Sequence, residues 1–151
     1  MSRGLDPFLD AQNATFAGYA TALAEIRAGR KRSHWIWYVF PQLAGLGQSA
    51  AAQAYGIAGR AEAVEYLRDP ILRARLLEIT NAVRDELGRG VPLATLMGAD
   101  IDALKLVSSM TLFAAVARDL DDAALASAAE DVLARAGAEG FPPCAFTRSA
   151  I

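Results

Sequence analysis

Residues 29–49 read G-R-K-R-S-H-W-I-W-Y-V-F-P-Q-L-A-G-L-G-Q-S and hold both tryptophans of the chain and its single histidine. Trp35, Trp37 and Val39 alternate as a strand would. No second run of that kind exists to pair with it, and a lone strand leaves its backbone N–H and C=O groups unsatisfied. The stretch is therefore expected to form a short helix over 34–40, capped by Ser33 and ended by Pro41. With that segment helical, nothing else in the chain argues for a sheet.

Arg27, Arg30, Lys31 and Arg32 lie just before it, at the close of a helix that Gly29 stops. Cations near a helix C-terminus meet its partial negative charge and the last free carbonyls. The same groups beside Trp35, Trp37 and Tyr38 also make an anion site, because guanidinium matches phosphate geometry and flat rings stack on bases.

Outward from this stretch the chain reads as helices of unequal length. Asp6-Pro7 pairs a capping side chain with proline at a first helical position. Asn13 recaps a second helix whose apolar face is Phe16, Tyr19, Leu23 and Ile26. Residues 41–47 form a loop, and Ser49 opens a helix that Gly56 closes. A helix over 60–67 follows, with Val64 and Leu67 inward. Asp69-Pro70 then opens a long helix over 70–87, with Leu72, Leu76, Ile79 and Val83 as its stripe. A short turn over 92–97 ends at Gly98. Asp100 caps a helix to Asp119, Asp121 caps the next to Ala136, and the tail 138–151 has no clear period. These elements predict one all-α, irregular multihelical domain over 1–151.

The totals agree. A chain of 151 residues with 54% hydrophobic and 21% charged residues is a folded globule with a full core. A net charge of −2 gives no overall attraction to nucleic acid or an acidic membrane, so a basic patch acts locally. One cysteine, Cys144, excludes an intrachain disulfide and, with one histidine, argues against a zinc cluster. Arg3, Asp6 and Asp10 precede any apolar run, unlike a secretory signal, which predicts a cytoplasmic protein. Residues 33–59 carry no charge, but Pro41, three glutamines and four glycines are poor membrane-helix material.

Polar residues then interrupt the helix over 101–119. Ile101, Leu104, Val107 and Leu112 are expected to be buried. Asp102, Lys105 and Ser109 share a face, with Ser108 beside them. An exposed ion pair and two serines at a close helix crossing account for these residues. A ligand pocket facing the tryptophan segment accounts for them as well. In that pocket Trp35 or Trp37 stacks on a ring. Lys31, Arg32 or Lys105 holds a phosphate or carboxylate, Gln42, Ser108 and Ser109 supply hydrogen bonds, and His34 is the acid–base candidate should there be chemistry. The expected ligand is small and anionic or aromatic, its identity and any cofactor unspecified. A non-enzymatic helical interaction module is the alternative. No GxxxxGK[ST] loop or GxSxG is present. The G-L-G-Q-S-A run (45–50) enters a helix N-terminus, where amides bind anions, and equally makes a plain turn.

H-W-I-W-Y-V-F-P-Q-L-A-G-L-G-Q-S (34–49), Y-G-I (55–57), E-A-V-E-Y-L (62–67) and K-L-V-S-S-M-T-L-F (105–113) resemble the signatures of a family of small bacterial proteins of unknown function, some labelled "calpastatin". The resemblance spans about 6–113 and implies a multihelical fold but no reaction. Calpastatin acts through disordered segments, which this composition does not match. The tail, G-F-P-P-C-A-F-T, departs from the pattern, and Cys144 is assigned no role.

Overall fold

A computed structural model describes residues 4–151, so Arg3 lies outside the described residues. Ten helices form among them: α1 (Asp6–Gln12), α2 (Tyr19–Arg27), α3 (Ile36–Val39), α4 (Ala50–Tyr55), α5 (Arg60–Arg68), α6 (Pro70–Gly88), α7 (Leu93–Met97), α8 (Asp100–Asp119), α9 (Ala123–Ala138) and α10 (Ala145–Ala150). α8 is the axis. From Leu106 to Ala114 every one of its residues is buried, as suits a helix with neighbours on all sides. It packs along α9 and also meets α3, α5, α7 and α10, while α6 covers α9 and α2 lies on α6.

The Asp69-Pro70 signal works as read, since the Asp69 carboxylate accepts from the amides of Ile71 and Leu72. Leu72, Leu76, Ile79 and Val83 are all buried. Other ends shift. Asp6 lies inside α1, with Leu5 at the cap position. Ala99, not Asp100, precedes α8, and Asp122, not Asp121, caps α9 by accepting from Leu125 N–H. α3 is shorter than expected, with Trp35 at its cap position, and Ser33 Oγ donates to Glu25 Oε2 at 2.5 Å instead of capping it. Residues 138–151 are not wholly irregular: α10 docks on α8, and the Cys144 amide donates to Thr111 Oγ1 at 3.1 Å.

Two expectations about apolar faces fail. Phe16 is 88% exposed and lies outside α2. Ala17 takes φ +52° and its carbonyl accepts from Tyr38 Oη at 2.5 Å, which bends the chain before the helix starts. Ile101 and Leu104 are 62% and 52% exposed, whereas Val107 and Leu112 are buried.

Residues 41–49 have no regular structure but are tied at their base. Ile57 N–H donates to the Gln42 carbonyl at 2.9 Å, and Ala44 N–H donates to the Ile57 carbonyl at 2.8 Å, giving an isolated parallel bridge between Leu43 and Ile57.

Candidate functional site

The site is built from two carboxylates that gather the basic and aromatic residues. The first is Glu25, on the last turn of α2. Its Oε1 accepts from the amides of Arg32 (2.8 Å) and Ser33 (2.9 Å) and from Trp35 Nε1 (2.8 Å), and its Oε2 accepts from Ser33 Oγ at 2.5 Å. Burial pushes the carboxyl pKa up, but the donors from Ser33, Arg32 and Trp35 outweigh it and hold it at about 2. The basic run therefore turns around an anion of its own chain.

The second is Asp102, in the first turn of α8. Its Oδ2 lies 2.8 Å from Lys31 Nζ and its Oδ1 3.8 Å from Lys105 Nζ. Each ammonium also lies over an indole, Lys31 5.1 Å from the Trp35 ring and Lys105 4.8 Å from the Trp37 ring. Lys31 is buried and donates to the Ser33 carbonyl at 2.5 Å. Its amide donates to the Leu96 carbonyl at 2.7 Å, so this segment is fixed to α7 just before Gly98. Gly98 takes φ +86°, and a Cβ there would stand 3.0 Å from the Lys31 carbonyl oxygen. Glycine is required on both counts.

This frame leaves a cavity of about 380 Å³ between the 42–52 segment and α8, within the range of small-molecule pockets. Leu46, Ala52, Ile101 and Leu104 supply its apolar surface, and Gln42, Gln48, Ser49, Lys105 and Ser108 its polar groups. Gly47 allows one wall to close, since a Cβ there would be 2.6 Å from that of Ala52. Lys105 is the one charged residue of the lining among the described residues. A more polar cavity of about 440 Å³, lined by Arg27, Glu78, Asp85, Glu86 and Arg89, mixes both signs, and its Glu86 and Arg89 pair with each other.

The residues proposed from sequence separate into four groups. Gln42, Lys105 and Ser108 face the cavity, with Ser108 Oγ donating to the Leu104 carbonyl at 3.1 Å. Lys31, Trp35 and Trp37 hold the frame. Trp35 is wholly buried, so its rings are not open to a ligand, and Trp37 supports Lys105. Ser109 is fully buried with its hydroxyl unpartnered among the described residues. His34 and Arg32 are exposed and do not line the cavity. Sequence reasoning missed Glu25, Leu46, Gln48 and the outward turn of Ile101 and Leu104. An acidic residue one turn before a basic run was the available signal for Glu25.

A family described as "Protein of unknown function (DUF1810)" matches residues 2–133, which include every residue lining the cavity. The crystal structure of the conserved hypothetical protein Rv1873 from Mycobacterium tuberculosis is similar to this chain, with a TM-score of 0.77 and 39% identity, covering 96% of this chain and 94% of that one. No match is found among curated proteins.

Proposed function

We propose that this chain, which belongs to the DUF1810 family of proteins of unknown function, binds a small molecule in the cavity between the 42–52 segment and α8. The observation that carries the reading is the cavity itself: an apolar surface with a few convergent polar groups, held by residues distant in sequence. Ile101 and Leu104 line it while 62% and 52% exposed. Among the described residues no helix is long and apolar enough to cross a membrane. We place the protein in the cytoplasm and give His34 no chemical role, since its imidazole does not line this cavity.

Tryptophan fluorescence and thermal shift, titrated with a nucleotide, cofactor and organic-acid panel, test the reading. A saturable response that Leu104→Trp abolishes supports it, because a larger ring at a half-exposed position fills the cavity without disturbing the core. No response to any class overturns it. Ile101, Leu104 and the exposed Phe146, whose ring stands beside Gly45, also favour the interaction-module reading. That reading predicts self-association by light scattering, lost in Leu104→Ser, and a strict monomer at high concentration counts against it.

A further inference from the structure

We propose that the ligand is a small amphipathic monocarboxylate, with its apolar body against Leu46, Ala52, Ile101 and Leu104 and its carboxylate read by Lys105 and Gln42. This rests on the reading of the cavity as a ligand site.

Charge sets the sign. Lys31 and Lys105 share the one carboxylate of Asp102, and the nearer ammonium is Lys31 at 2.8 Å against 3.8 Å. At Asp102 two ammonium groups meet one carboxylate, and the less closely paired one is on the cavity side because Lys105 lines the cavity while Lys31 is buried behind. No carboxylate lines the cavity among the described residues. A monoanion balances that charge. A dianion would bring a second charge into apolar surroundings with nothing to pair it.

Gln42 supplies the second contact. It is 8% exposed and lines the cavity, and its backbone carbonyl is used by Ile57 N–H. Its side-chain carboxamide is available to a ligand in the cavity it lines. A carboxylate offers two acceptor oxygens, one for the Lys105 ammonium and one for the Gln42 amide N–H. The remaining surface is mainly aliphatic, which selects an apolar body over a sugar or a polyol.

Calorimetry with phenylacetate and octanoate, their neutral amides phenylacetamide and octanamide, and phenyl phosphate tests the class. We expect both carboxylates to bind at least tenfold more tightly than their amides and more tightly than phenyl phosphate. Lys105→Met should erase the preference for carboxylate over amide, and Gln42→Leu should weaken carboxylate binding at unchanged circular dichroism and melting temperature. Amides binding as well as carboxylates, or phenyl phosphate binding best, overturns the class and leaves the cavity reading standing. Carboxylate preference that persists in Lys105→Met places the anion elsewhere and also overturns it. No heat from any probe, with no effect of these probes on tryptophan emission, removes the class and counts against the cavity reading together.

Discussion

Lys31 Nζ lies 2.8 Å from Asp102 Oδ2, joining the loop after α2 to the first turn of α8. Through this contact the chain just before the tryptophans is tied to α8, far away in sequence, which forms one wall of the cavity. Lys31 is buried, so removing the carboxylate strands a charge in the interior. Asp102→Asn is expected to cost roughly 2–3 kcal/mol, below the usual ~3–5 for a buried pair because Asp102 keeps some solvent. Urea denaturation measures it. The double variant Lys31→Met, Asp102→Asn should lose less than the sum of the two single changes.

Glu25 makes stability depend on acid. Its folded pKa of about 2 lies below the ordinary value of 4.5, so the stabilisation is complete above 4.5 and is lost as pH falls toward 2. Discounted for solvent screening, it is on the order of 2 kcal/mol. Glu25→Gln should be less stable at pH 7 and show a flatter decline between pH 4.5 and 2. Acid titration followed by circular dichroism reads both slopes, and parallel curves for the two proteins would contradict the assignment.

The two indoles are not equivalent. Trp35 is fully buried and donates to Glu25 at 2.8 Å, whereas the buried Trp37 Nε1 has no partner among the described residues. Trp35→Phe should cost about 2–4 kcal/mol, from a lost charge-assisted bond and a void. Trp37→Phe should change stability by less than about 1 kcal/mol, since the donor it removes is unsatisfied. Comparable losses in chemical denaturation would refute this.

Gly98→Ala combines an unfavourable φ of +86° with a Cβ 3.0 Å from the Lys31 carbonyl. It should cost about 1–3 kcal/mol. It should also weaken any ligand bound at Lys105, because Lys31 and Lys105 share Asp102. Gly90→Ala takes a similar φ of +95° but meets nothing within 4 Å, and so serves as a control for backbone strain alone.

Local signals in the sequence placed most helices. Asp69-Pro70 and the stripe through Leu72, Leu76, Ile79 and Val83 made α6 legible because cap and period agree there. α8 was different. From Leu106 to Ala114 it is buried on every side, and a helix without a solvent face over that length gives no period from which to tell which way Ile101 and Leu104 point. Phe16 kept the spacing of α2, but a bond from the distant Tyr38 hydroxyl sets the backbone at Ala17. Of the site, Gln42, Lys105 and Ser108 were recognisable as polar groups in apolar surroundings. Glu25 was not, since its four donors become neighbours only after the chain has turned at Gly29.

The paired hydrogen bonds of Ile57 with Gln42 and Ala44 give the outer wall a closed neck. A loop whose ends already meet adds little entropic cost as it lengthens. Relatives could therefore gain or lose residues between 45 and 49 and resize the recess for another guest, leaving the ten described helices in place.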